Sequence, residues 1–210
     1  MIDSGKLALF LSAAFLLAIA PGPGMLYVLA RSLAGGRREG VLSSLGTFVG
    51  GMVHVLAAAA GVSVVLARSA VAFAAVKYAG AAYLCFLGIR MILEARKDES
   101  SLPAKDGAQP RNPFWQGIAT EVLNPKTALF FLSFIPQFVE RQSGHVFGQF
   151  LMLGMISVTL NTSADLVVTM FAGPLGNQIR SSERFRRTQR TATGAIMIGL
   201  GSYLARSRAE

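Results

Sequence analysis

Six long apolar runs, separated by shorter polar or basic stretches, set the pattern of this chain. They fall at about 7–30, 41–67, 71–93, 114–138, 146–171 and 191–205. About 20 consecutive apolar residues cross the hydrocarbon core of a bilayer as a helix. The pattern therefore predicts an all-α membrane protein with six transmembrane helices in one domain, residues 1–210. Two of the runs are interrupted, the first at Pro21-Gly22-Pro23-Gly24 and the fourth at Asn124-Pro125-Lys126. Proline inside a helix has no N–H to donate and clashes with the carbonyl four residues back. An unpaired backbone group in lipid costs several kcal/mol, so such a break survives only beside protein or a water-filled cavity. Helices one and four are thus predicted to be broken.

The remaining punctuation fills in the topology. Ala18-Ile19-Ala20 looks like a signal-peptide cleavage site, but Asp3 and Lys6 leave no net positive flank and the apolar run is too long, so a retained helix is expected. The residues from Arg31 to Gly40 read as a short basic turn. The polar stretch at about 94–113 reads as a mobile cytoplasmic loop without a site, followed by Trp115 as an interfacial anchor. Gly173-Pro174 is expected to end the fifth helix. Residues 175–190, basic and partly apolar, then read as a segment lying on an anionic membrane surface.

Composition agrees. The chain is 52% hydrophobic and 15% charged, against about 25% charged in soluble domains, and its mean hydropathy is +0.49. The net charge of +9 resides in loops, which fits positive-inside sorting against membrane lipid rather than a nucleic-acid partner. With six spans, thirteen Lys and Arg fall on one side and five on the other. That bias makes the first side cytoplasmic and puts both termini outside. The first three spans (about 7–93) then enter from outside and the last three (about 114–206) from inside, as two inverted three-helix repeats. Paired broken helices in such repeats point to a transporter's binding site. Cys85 is the one cysteine, read as a small packed hydrophobe.

The breaks carry the candidate chemistry. Pro21, Pro23 and Pro125 free the carbonyls of Leu17, Ile19 and Glu121, which become acceptors for an ammonium or cation. The helices that restart after each break present N–H groups suited to a carboxylate. Both ends of an amino-acid zwitterion could be met there. Gly22 and Gly24 are expected to allow backbone angles that a bulkier residue could not adopt. Acids inside spans are costly and usually functional. Glu121 and Asp165 both lie roughly 10 Å deep from the same side at 1.5 Å per residue. Glu121 shares a helix face with Asn124, and Asp165 shares one with Asn161. Two readings stand: a proton- or substrate-binding cluster of Glu121, Lys126 and Asp165, or a structural ion pair of Lys126 with either acid. His54 is read as a hydrogen-bonded packing residue.

The chain also resembles a known family. Pro21-Gly22-Pro23, Gly80 with Tyr83-Leu84, and Phe114-Trp115-Gln116-Gly117 leading to Leu123-Asn124-Pro125-Lys126, Phe134 and Pro136-Gln137-Phe138 are similar to the LysE/RhtB exporters. The resemblance covers essentially the whole chain and implies efflux of amino acids across the bacterial inner membrane by proton antiport, without ATP. It implies no catalytic residue, metal or cofactor, a small-molecule substrate with protons as the coupling ion, and leaves a homodimer open. Pro21, Gly22, Pro23, Asn124, Pro125 and Lys126 carry over as motif positions. The competing readings are an exporter of inorganic or metal cations, weak in ligands with Cys85 alone and His54 and His145 far apart, and an intramembrane enzyme. The latter would rest on Ser43 and Ser44 near His54.

Overall fold

The first apolar run folds as α1 (Ser4–Ile19), and the chain re-enters a helix only at Pro23, the start of α2 (Pro23–Arg68). The computed structural model describes residues 4–68, 70–96, 112–140, 145–181 and 183–206, all helices and their connections. Within α2, Gly36 adopts φ 75°, ψ −170°, which divides it into arms at 23–35 and 37–68. The expected basic turn is thus compressed into one left-handed residue, a conformation in which glycine has no Cβ to clash.

α3 (Ala70–Arg96) follows, then α4 (Pro113–Val122) and α5 (Pro125–Leu129). α4 and α5 start alike. Asn112 Oδ1 accepts from the Phe114 N–H at 3.0 Å and Asn124 Oδ1 from the Lys126 N–H at 3.1 Å, each with proline next at the first helical position. The side-chain oxygen takes an orphan donor, and proline fills the position whose N–H has no partner. The axis bends by 46° between α4 and the helical segment that follows. α5 runs into a widened π turn (Phe130–Phe134) and then a tightened 3₁₀ turn (Ile135–Phe138), adjacent to Pro136, which cannot continue the ladder.

α6 (Val146–Ser181) and α7 (Glu183–Arg206) complete the chain. Here the expectation from Gly173-Pro174 fails. The helix passes through both residues to Ser181, and the described residues of 175–190 are helical, within α6 and α7. Neighbouring helices can re-satisfy the carbonyl that a membrane proline frees. The polar stretch 97–111 and the loop residues 141–144 lie outside the described residues.

Packing is inverted relative to a soluble protein. Phe15, Leu56, Phe86 and Val167 are each more than half exposed, whereas Ser43, Ser44, Thr47, Glu121, Lys126 and Asp165 are buried. Phe130, Phe134, Phe138 and Phe10 form a chain of ring contacts at 5.0–5.3 Å that fastens the π and 3₁₀ turns to α1. α2 packs along α4 and α6, and α3 along α7. These contacts are reciprocal. Gly51 faces Val158 while Gly154 faces Val55, and Gly88 faces Ile198 while Gly194 faces Ile92. Small residues let helix backbones approach closely. By length and composition, Pro23–Gly61 and Val146–Ala172 are long and apolar enough to cross a membrane, and 113–138 makes a third if the bent pair is one span.

Candidate functional site

Lys126 joins the two breaks. Its ammonium donates to the Leu17 carbonyl at 2.8 Å and to the Ala20 carbonyl at 2.6 Å, both at the broken end of α1. Leu17 is the residue whose carbonyl Pro21 frees. The lysine is 6% exposed, so two carbonyl acceptors replace the water its charge gives up. The carbonyl freed by Pro125, that of Glu121, accepts from His54 Nε2 at 2.9 Å and from the Asn124 N–H at 3.0 Å. A carbonyl partner requires the proton on Nε2. His54 also lies flat against Phe131 at 6.3 Å, in keeping with its packing role.

The Glu121 carboxylate is held on both oxygens. Oε2 accepts from Asn124 Nδ2 at 3.0 Å and Oε1 from Thr127 Oγ1 at 2.6 Å. Among the described residues no ion pair joins Lys126 to Glu121 or Asp165. The structural-pair reading is corrected accordingly: carbonyls at the first break hold the lysine. Gly22 and Gly24 also act otherwise than expected. Among the described residues only Gly36 has positive φ. A methyl at Gly22 would press on the Lys126 side chain, and one at Gly24 would overlap Glu121 Oε2. These glycines supply room for the charged groups rather than unusual angles.

A cavity of about 30 Å³ opens beside the breaks. Glu121, Lys126 and Asn161 share its wall with Thr47, Thr127, Ser157 and an apolar side that includes Ala14, Phe130 and Val158. Pro21 and Asn124 are buried beside it, while Pro23 and Pro125 face outward at the starts of their helices. Asp165 is fully buried but outside this wall, and its Oδ2 accepts from Thr47 Oγ1 at 3.0 Å. Asn161 and Asp165, a turn apart, are therefore separated in role. Thr47 and Thr127 escaped the sequence reading. Thr127 lies three residues after Asn124, and Thr47 lies two turns before His54 on the same helix face, so helical periodicity could have found both.

Ser44 Oγ donates to the Gly40 carbonyl at 3.0 Å, and His54 Nε2 is turned to Glu121, so these two make no nucleophile–base pair. Among the described residues no three His, Cys, Asp or Glu side chains converge as a metal site.

Comparison with known proteins gives a consistent result. An uncharacterised membrane protein of Pseudomonas aeruginosa is 34% identical over 195 residues, covering 88% of each chain. One from Vibrio cholerae is 29% identical, over 95% of this chain and 96% of its own. A leucine efflux protein of an Enterobacter species is 27% identical over 93% of each. No solved structure matches the chain. Relatives that are membrane proteins, together with the apolar spans, make this a multi-pass membrane protein. The family described as LysE type translocator matches residues 15–208. Over nearly its full length, then, the chain belongs to the LysE type translocators, a family of transporters rather than enzymes.

Proposed function

We propose that the protein is a secondary exporter of amino acids across the bacterial inner membrane, coupled to inward proton movement. One observation carries this reading: an ammonium held by carbonyls of one helix break and a carboxylate held by donors of the other, on the wall of one cavity. Lys126 would receive the substrate's carboxylate, and Glu121 with Asn161 its ammonium. Ala14, Phe130, Phe131 and Val158 would take an uncharged side chain. The leucine efflux relative is in keeping with an apolar amino acid.

The present cavity, about 30 Å³, is far below the roughly 300 Å³ of a small ligand pocket. Admission of a substrate therefore requires the helices to part. Six spans in two inverted repeats suit that movement. In support, the reciprocal Gly51–Val158 and Gly154–Val55 contacts, repeated by Gly88–Ile198 and Gly194–Ile92, are what a two-fold axis between the halves produces.

The test is export from cells loaded with dipeptides, screened across amino acids with and without a protonophore. Expression should speed the release of at least one amino acid, and the protonophore should abolish the gain. Equal retention of every amino acid with and without the protein would refute the reading.

A further inference from the structure

The two buried acids are treated differently by their surroundings. Glu121 receives a donor on each oxygen. Asp165 is 0% exposed, accepts from Thr47 on Oδ2, and has no partner on Oδ1. Two further buried hydroxyls lie on the same two helices: Thr162 Oγ1 lacks a partner, and Ser43 Oγ has only the Tyr27 hydroxyl beside it. Ser43 is one turn from Thr47 on α2, and Thr162 is three residues from Asp165 on α6. The 3.0 Å Thr47–Asp165 bond joins those two helix faces. Each of these oxygens thus lies within about one turn of that bond along its own helix, and Thr47 also lines the cavity.

We propose that Asp165 carries the exchangeable proton, on Oδ1, in a hydroxyl-lined site that Thr47 connects to the substrate cavity. This rests on the transport reading above and adds to it a division of labour: Glu121 binds, Asp165 couples. The chemistry follows from the inventory of donors. A bare carboxylate oxygen out of water, with no donor, is costly. A proton on Oδ1 removes the charge and creates a donor, for which the hydroxyl of Thr162, three residues before Asp165, and that of Ser43, one turn before Thr47, are the candidate acceptors. On release the proton leaves a carboxylate whose Oδ2 keeps the Thr47 bond. When substrate rearranges the cavity wall, Thr47 is the group that transmits the change.

The charged groups acting on Asp165 from α4 and α5 are Glu121 and Lys126. α2 presents neutral hydroxyls, and its His54 is turned to the Glu121 carbonyl. A sodium ion is served less well. The backbone of α2 and α6 is helical here, so its carbonyls are committed, and even with both Asp165 oxygens the hydroxyls of Thr47, Ser43 and Thr162 bring the side-chain oxygens to five, where a hard cation draws about six or more.

Infrared titration of the purified full chain in lipid tests this without a substrate, and so separately from export. The pH-dependent carboxylic acid C=O band should vanish in Asp165→Asn and persist in Glu121→Gln. Ser43→Ala combined with Thr162→Val guards against a misfolded Asp165 variant. Removing both acceptors should move the band's midpoint by about one pH unit, the size of one hydrogen bond's preference between protonation states. A band that survives in Asp165→Asn, an unmoved midpoint in the double variant, or a band that titrates with sodium at fixed pH would overturn the proposal.

Discussion

The two helix breaks resemble each other in backbone and differ in chemistry. Both end a helix and restart it at a proline, Pro23 and Pro125. The first contributes carbonyls and two glycines. The second contributes every polar side chain: Glu121, Asn124, Lys126 and Thr127. The first half of the site is therefore a set of acceptors with space in front of it, and the second is what fills that space. The proposed repeat would supply the same interruption twice, and the proposed binding site would need only one set of side chains.

That asymmetry ranks the substitutions that would disturb it. Lys126→Met should have the largest effect, because it leaves the Leu17 and Ala20 carbonyls without donors. Two charge-assisted bonds at about 1.5 kcal/mol each correspond to roughly a hundredfold loss of transport rate or of folded population. Transport assays together with thermal unfolding in detergent would read both. Gly24→Ala comes next, since its methyl overlaps the Glu121 carboxylate. Overpacking of about 1–3 kcal/mol predicts a transport loss near tenfold or more, whereas Gly148→Ala, where a methyl meets nothing within 4 Å, should leave transport unchanged.

Asn124→Ala removes the cap of α5 and a donor to Glu121 together. A lost N-cap costs about 1 kcal/mol, so unfolding should shift measurably, and Asn124→Asp should restore the cap but not the Glu121 bond. His54→Phe should be mildest, a loss of a few-fold from one hydrogen bond of about 1 kcal/mol, because stacking on Phe131 is retained. Equal effects from Gly24→Ala and Gly148→Ala would remove the clearance role assigned to the first break.

Much of this was legible in the sequence for a physical reason. Lipid forbids unpaired backbone, so the proline motifs at 21–24 and 124–126 announce breaks, and the apolar runs fall in helical segments of the structure. The freed carbonyls of Leu17 and Glu121 could be named from their prolines alone. What occupies them could not. That Lys126 reaches across to α1, rather than to an acid, depends on the crossing of helices far apart in sequence. The glycines at 22 and 24 were misread because a backbone-angle role and a clearance role look identical in one sequence. Gly173-Pro174 misled for the opposite reason, since packing can keep a proline-containing helix intact. Thr47 and Thr162 are ordinary helix threonines until the facing Asp165 gives them significance.

The contact that unites the breaks can be measured directly. Solid-state NMR in lipid bilayers, with ¹⁵N lysine and ¹³C-carbonyl leucine or alanine, reports the separation of the Lys126 ammonium from the Leu17 and Ala20 carbonyl carbons, with Lys126→Arg as the assignment control. Given N···O distances of 2.8 and 2.6 Å and a C=O bond of about 1.23 Å, both carbons should lie within about 4 Å of that nitrogen. Dephasing instead from the Glu121 or Asp165 carboxyl carbon, with none from Leu17 or Ala20, would contradict the joining of the two breaks through Lys126.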